Sequence, residues 1–259
     1  MTLGLPDQIR GCLFDMDGVL TRTATVHAAA WKQMFDEFLA ERSRRTGEHL
    51  DPFDAEEDYD RYVDGRSRAD GTRGFLQSRG IHLPEGSESD PAGAETVQGL
   101  SRRKNELVLD KLRHERVAVF DDTVAYVKAV ISHGLQLAVV SASANTAQVL
   151  ESAGLAELFP VRIDGIVAAQ RHLAGKPAPD MFLAGAEALG LEPGQTAVFE
   201  DALAGVEAGR AGGFGFVVGV DRGGQAAELR AHGADVVVDD VTRLLSPAAG
   251  GAGRTRPPA

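Results

Sequence analysis

The sequence has one cysteine, Cys12, among its 259 residues. No disulfide can close within the chain, and a thiol inside the apolar run ahead of Asp15 reads as core packing. Basic residues are the minority, 27 Lys and Arg against 38 Asp and Glu, for a formal charge of −11. That balance argues against nucleic acid or an anionic membrane as partner. An anionic small substrate is admitted only where basic side chains gather at its site. A run of ~20 apolar residues, the length of a membrane span, is also missing. The opening MTLGLPDQIR does not pair a cationic start with an apolar stretch, so no secretory signal is read and a cytoplasmic location is expected. What is present, 43% hydrophobic and 25% charged residues, suffices for one large core or a core with a smaller companion.

The runs IRGCLF (9–14), LQLAVV (135–140), TAVFE (196–200), FGFVV (214–218) and ADVVV (234–238) predict short buried strands. Helical segments are expected between and after the later ones, near 122–133, 145–153, 179–190, 202–211 and 224–231. Strands alternating with helices predict an α/β fold whose parallel sheet is covered on both faces. The first strand stands apart, separated from the second by a long, largely helical segment. Within that segment Trp31, Phe35, Phe38 and Leu39 mark a helix over 27–42. A short helix is expected near 54–62, and another over 66–80 that is weakened by Gly71 and Gly74. A loop at 82–93 and a helix over 94–114 follow. The chain thus divides into a discontinuous α/β core, 1–22 and 119–246, and an inserted helical cap, 23–118. The Gly/Pro/Ala-rich tail, 247–259, reads as disordered.

Ligands of an open parallel sheet gather at the carboxyl ends of its strands. Past the first strand stand Asp15 and Asp17, past LQLAVV stands Ser141, and TAVFE ends in Glu200 and is followed by Asp201. Lys176 lies in the loop GKPAPD ahead of a helix. Singly, each has an ordinary explanation: Ser141 and the Glu200–Asp201 pair as helix caps, Lys176 as a solvated loop lysine. Gathered at strand ends, they point to one site. Carboxylates suit Mg²⁺, whose remaining positions take water and a phosphate oxygen. An ammonium and a hydroxyl suit the other phosphate oxygens. One aspartate can attack phosphorus, and a second, two residues on, can move a proton.

The segments DMDGVL, VSASAN, KPAPD and FEDALAGVEA, in this order, resemble the four signature motifs of the haloacid dehalogenase superfamily. The resemblance implies a Rossmann-like core with a helical cap, Asp15 as nucleophile and Asp17 as general acid/base. It places Ser141, Ala142 and Lys176 on the transferring phosphoryl group. It places Mg²⁺ on Asp15, the Asp17 carbonyl and Asp201, with Glu200 as a further ligand or a neighbouring acid. Within the superfamily the chain is most similar to the β-phosphoglucomutase family, through His27 and Trp31, through Gly65, Ser67 and Arg68, and through Lys104 and Asn105. In that family the arginine binds the phosphate that is not reacting, and the histidine couples cap closure to the acid/base aspartate.

That resemblance implies a monomeric enzyme that interconverts β-glucose 1-phosphate and glucose 6-phosphate, with Mg²⁺ and glucose 1,6-bisphosphate as cofactor and intermediate. A mutase must hold a bisphosphate, which calls for cations at both ends: Lys176 in the core, Arg68 and Lys104 in the cap. Arg66 and Arg73 read instead as a solvated helix face. Three positions depart from the family pattern: Arg22 where an acid is usual, Ala144 where lysine is common, and Asp64 where lysine precedes the cap glycine. They leave a sugar-phosphate phosphatase as the second reading. A phosphonate hydrolase is disfavoured by the acid at position 17, and a non-enzymatic phosphate binder would have no need of both Asp15 and Asp17.

Overall fold

The structure is a computed structural model that describes residues 2–114 and 117–245; the expected disordered tail at 247–259 lies outside them. Strand β1 (Gly11–Phe14) is followed by helices α1 (Ala24–Thr46), α2 (Arg68–Ser78), α3 (Val97–His114) and α4 (Asp121–Ser132). Then come β2 (Gln136–Val140), α5 (Thr146–Ser152), β3 (Val161–Ile163), α6 (Gly165–Arg171) and α7 (Asp180–Ala188). The chain continues with β4 (Thr196–Glu200), α8 (Leu203–Ala211), β5 (Phe216–Val220), α9 (Ala226–Ala231) and β6 (Val236–Val238). The six strands form one parallel sheet in the order β3-β2-β1-β4-β5-β6.

β1 is wholly buried because it is central and covered on both faces. Its residues alternate as a strand must. Cys12 and Phe14 join a core with Tyr126, Val130 and Leu150 of α4 and α5, while Leu13 joins the opposite core with Phe182, Val206 and Leu229. Phe14 stacks on Phe199 of β4 at 4.4 Å between ring centroids, tying the two strands that end in carboxylates. The chain moves outward from β1 in one direction through β2 and β3, and in the other through β4, β5 and β6. The crevice at this reversal opens at the carboxyl ends of β1 and β4, where the strand order predicts a ligand site.

Helices α1, α2 and α3 build a third apolar cluster around Trp31, Phe35, Phe53 and Phe75. Gly71, which weakened the helix expected over 66–80, is required by packing. A Cβ there would lie 3.2 Å from both Trp31 Cζ2 and Val63 Cγ1. The short helix expected near 54–62 is a single π-turn, Tyr59–Val63. Two linkers join these helices to the sheet and bond to each other: Arg22 N–H donates to Ala118 O (2.8 Å) and Phe120 N–H to Leu20 O (3.0 Å). Arg22, one of the three departures, lies over the Phe120 ring here at 4.2 Å.

Strand β3 and helix α6 escaped the sequence reading. β3 has three residues with exposed Arg162 in the middle, which masks its apolar character. α6 starts at a turn where Asp164 accepts from the Ile166 and Val167 N–H groups (3.0 and 2.9 Å). The strands expected at 214–218 and 234–238 begin two residues later, at Phe216 and Val236. Gly215 precedes β5 because its N–H bonds to the Pro193 and Thr196 carbonyls outside the ladder.

Candidate active site

β1 delivers Asp15 into the crevice with its N–H bonded to Phe199 O of the neighbouring strand (3.0 Å). Lys176 reaches up from below. Its ammonium, wholly buried, donates to Asp15 Oδ1 at 2.5 Å and also to Glu200 Oε1. Glu200 is equally enclosed, and its other oxygen accepts from Ala202 N–H (3.1 Å). Both Glu200 oxygens are therefore occupied within the protein, and the residue fixes Lys176 beneath Asp15. Burial pushes the Asp15 carboxyl up to about 6, with Lys176 pulling against it and Asp17 adding to it. Burial likewise lifts Glu200 to about 7 against the pull of Lys176. Burial alone would strip the lysine of its proton, but the two carboxylates outweigh it and hold the ammonium charged.

Asp17 turns the other way. The Thr23 hydroxyl donates to its Oδ1, and Thr23 is itself linked to Thr21 (2.6 Å). Ser141 adds a hydrogen bond from its side chain. His27 Nε2 faces Asp17 Oδ1 at 3.6 Å, too far for a hydrogen bond, and is buried without another partner. On the other side of the ring, Lys104 Nζ lies 2.9 Å from Nδ1. An ammonium donor there makes Nδ1 the acceptor and leaves the proton on Nε2, aimed at Asp17. Burial, then Lys104 and Arg68, hold the imidazole well below its usual pKa, so it is neutral.

Above these groups the helical segment closes one cavity. Asp15, Asp17, His27, Trp31, Gly65 and Arg68 line it, as do Lys104, Asn105, Ser141, Ala142 and Asp201. Three of the residues expected at the site lie elsewhere. Lys176 and Glu200 sit beneath the cavity floor. Ser67 faces an adjoining groove and caps α2, its oxygen accepting from Asp70 N–H at 3.2 Å. Lys104 lies 4.7 Å over the Trp31 ring, and burial together with Arg68 lowers it to about 7. Burial lowers Arg68 as well, and among the described residues neither cation has a carboxylate ion-pair partner.

The sequence reading missed several lining residues. Arg66, read as solvated, lines the cavity, whereas Arg73 pairs with Asp70 and Glu85 outside it. Ser143 and Asn145 also line it, and Asn145 Nδ2 donates to Asn105 Oδ1 at 2.9 Å, joining the sheet side to α3. Their signal was present: both belong to VSASAN, after β2. Tyr59 of the π-turn and Asp64 just after it complete the wall, with Asp64 N–H donating to Tyr59 O at 2.9 Å. Burial, then Glu200, Asp60 and Asp15, push Asp64 up to about 8. Ala144, another departure, lines the adjoining groove rather than the cavity.

Asp15, Glu200 and Asp201 each offer a carboxylate oxygen, all within 4.8 Å of one another. Burial, then Asp64, Glu200 and Asp15, raise Asp201 well above the ordinary carboxylate range, because ionising all of these groups would put more negative charge in the crevice than Lys176 offsets. Gly18, at φ +89°, makes room for this set, since a Cβ there would come within 1.6 Å of Asp201 Oδ2. Hard oxygen donors in surplus fit a divalent cation such as Mg²⁺. Each Glu200 oxygen already accepts one hydrogen bond, while Asp15 and Asp201 each keep an oxygen that accepts none among the described residues, so these two would hold the ion with Glu200 beside them in the same set. Asp17's carboxylate is not in the set, which leaves its backbone as the only part the resemblance placed on the metal.

A parallel sheet with an aspartate at its switch point, a buried lysine bonded to it and a second acid at the next strand end points to the haloacid dehalogenase-like hydrolases. That family's model matches residues 9–213. The β-phosphoglucomutase of Mycobacterium tuberculosis (strain CDC 1551 / Oshkosh) is 56% identical over 246 residues, 94% of this chain and 94% of its own length. That of Bacillus subtilis is 30% identical over 241 residues, 91% of this chain and 92% of its own. The crystal structure of the Clostridium difficile β-phosphoglucomutase superposes with a TM-score of 0.70 at 25% identity, covering 92% of this chain and 93% of that one. The chain belongs to the β-phosphoglucomutase family of haloacid dehalogenase-like proteins. No helix among the described residues is long and apolar enough to cross a membrane.

Proposed function

We propose that the protein is a Mg²⁺-dependent β-phosphoglucomutase that interconverts β-glucose 1-phosphate and glucose 6-phosphate through glucose 1,6-bisphosphate. One observation carries this beyond the family relationship. Arg68 and Lys104, neither in an ion pair with a carboxylate among the described residues although Asp17 acts on Lys104 from further off, enter the same cavity as Asp15. Lys104 is buried and its charge is disfavoured by the half-buried Arg68 beside it, a costly arrangement unless an anion joins them. A hydrolase acting on a monophosphate needs cations at the reacting end only. A mutase must hold a second phosphate at the far end, and these two side chains suit it.

Asp15 carries the phosphoryl group. A substrate hydroxyl attacks it, Asp17 takes the hydroxyl proton, and the Asp15–phosphorus bond breaks to give the bisphosphate. After the bisphosphate turns end for end, an Asp15 oxygen attacks the other phosphorus, and Asp17 returns the proton to the departing sugar oxygen. Lys176 holds Asp15 in place and favours its ionised form whenever it carries no phosphoryl group. Asp15 and Asp201 would hold Mg²⁺, which would supply charge neutralisation for the phosphoryl oxygens. Residues 23–118 act as the cap over a core of 1–22 and 119–246, and its closure keeps water from the aspartyl phosphate.

The test supplies Mg²⁺, β-glucose 1-phosphate and a trace of glucose 1,6-bisphosphate and follows glucose 6-phosphate and inorganic phosphate together. The expected result is glucose 6-phosphate with little free phosphate. Stoichiometric free phosphate without glucose 6-phosphate would replace the mutase with a sugar-phosphate phosphatase.

A further inference from the structure

The two linkers between the sheet and the helical segment meet at Phe120, a side chain that phosphoryl transfer leaves without a task. It is buried just ahead of α4, and two guanidinium groups lie over its ring. That of Arg22, from the first linker, stands 4.2 Å from the ring centroid. That of Arg222, from the loop after β5, stands at 3.9 Å. Arg222 is fixed by what it bonds. Its Nη1 donates to Asp239 O past β6 (2.9 Å), and its Nη2 to Asp122 Oδ2 and Thr123 Oγ1 in the first turn of α4 (both 3.0 Å). Its Nε donates to Gly18 O at 3.4 Å. The planar fork of a guanidinium serves these partners together, which a lysine ammonium cannot match.

Gly18 belongs to the turn that carries Asp17. Within that turn Gly18 N–H donates to Thr21 O (2.8 Å), and the Thr21 hydroxyl donates to Met16 O (3.1 Å). Arg22 stands between Thr21 and Thr23, the buried pair of hydroxyls that leads to the Asp17 carboxylate. Arg222 therefore grips the turn at Gly18, and Arg22, through the Phe120 ring, grips it at its far end. Arg22, Phe120 and Arg222 do not line the cavity shared by Asp15 and Asp17, so an effect on the reaction must pass through the turn.

We propose that Arg222 and Arg22, joined through Phe120, are positioning residues for Asp17, holding the turn from Gly18 to Thr23 against the sheet so that the Asp17 carboxyl group meets the sugar oxygen. This rests on the reading of Asp17 as the acid/base of a phosphosugar mutase. It gives the departure to arginine at position 22 a function, because the negative face of the Phe120 ring attracts a guanidinium and repels the acid usual there.

The experiment measures phosphorylation of the enzyme in a single turnover with Mg²⁺, from glucose 1,6-bisphosphate and from p-nitrophenyl phosphate. The departing sugar oxygen needs the Asp17 proton, whereas p-nitrophenolate leaves as the anion without one. Arg222→Met is expected to slow the first reaction about ten to a hundredfold further than the second, because a small misplacement forfeits much of what a general acid contributes. Arg22→Ala, a change at an exposed side chain, should move the same ratio about two- to fivefold, the range for one exposed cation–π contact. Asp17→Asn should show the same selectivity, and adding Arg222→Met to it should bring little further selective loss, since both changes act on one group. Equal losses on the two substrates in Arg222→Met would overturn the proposal and make the residue a structural tie. So would a full additional selective loss in the double variant. If Arg222→Met does not fold, Arg22→Ala decides, and an unchanged ratio there overturns the proposal. Wild type that p-nitrophenyl phosphate phosphorylates and glucose 1,6-bisphosphate does not would overturn the mutase reading itself, a result told apart because it needs no variant.

Discussion

Replacing Glu200 by glutamine separates two roles that its position at the end of β4 allows, metal ligand and anchor of Lys176. Both side chains of the Lys176–Glu200 pair are wholly buried. Removing one partner of such a pair costs about 3–5 kcal/mol, because the survivor stays buried without its counter-charge. Lys176 keeps Asp15 Oδ1 at 2.5 Å, so the loss belongs at the lower end, about 3 kcal/mol. For a chain of this size each kcal/mol moves Tm by roughly 2–4 °C, which predicts a fall of about 6–12 °C. Thermal unfolding in chelator measures this without contribution from bound metal. Activity titrated with MgCl2 measures the other role. Glu200→Gln should raise half-saturating Mg²⁺ by about ten to a hundredfold, as expected of a group behind the ligands, whereas Asp201→Asn should raise it further. An unchanged Tm, with a Mg²⁺ shift equal to that of Asp201→Asn, would refute the anchoring role and make Glu200 a ligand.

Arg68→Ala should reduce mutase turnover about ten to a hundredfold further than hydrolysis of p-nitrophenyl phosphate, as expected for one charge-assisted contact to the far phosphate; equal losses count against that contact. Lys104, lowered to about 7 by burial and Arg68, loses its charge in the free site above that pH. Binding a phosphate dianion must then take up a proton, so KM for the phosphosugar rises as pH increases above about 7, by up to about tenfold per unit. Lys104→Arg, charged throughout, should flatten that limb in a KM–pH series, and identical limbs would remove Lys104 from the anion site. Gly18→Ala places a methyl group within 1.6 Å of Asp201 Oδ2 at a backbone φ of +89°. It should raise half-saturating Mg²⁺ sharply, and a variant with wild-type Mg²⁺ dependence would show that Asp201 is free to move.

The strand ends were legible because a buried strand has a simple signature: a short apolar run that stops at a turn. Asp15, Ser141 and Asp201 follow such runs, and the sheet order brings them together without any longer-range information. β3 lacked that signature because Arg162 interrupts its three residues. What sequence patterning does not carry is where a polar side chain points once the backbone turns. Arg66 lies in a basic run that reads as a helix face, but the left-handed turn at Gly65 places it before α2 and on the cavity wall. Ser67 sits at a position the family resemblance assigns to substrate, but the structure gives its hydroxyl to Asp70 at the start of α2. Glu200 adjoins Asp201 in sequence and shares its chemistry, and only the packing shows that both its oxygens are bonded.

In the proposed mechanism, whether the phosphoryl group goes to sugar or to water depends on Asp17, and the structure ties Asp17 to helices α1 and α3. Thr23, which orients its carboxylate, ends the linker into α1, and His27 stands one turn further along that helix. His27 is held in turn by Lys104 on α3. Moving these helices away from the sheet would withdraw the Thr23 hydroxyl, the His27 N–H and the Asn105 contact to Asn145 together. Asp17 would then face the crevice without the groups that aim it, in the arrangement in which water can reach Asp15. Closing restores its alignment and excludes water in one movement. Under that mechanism, proton transfer would be confined to the state in which the available acceptor is a sugar hydroxyl, which would let an aspartyl phosphate built on a hydrolase fold outlast contact with solvent.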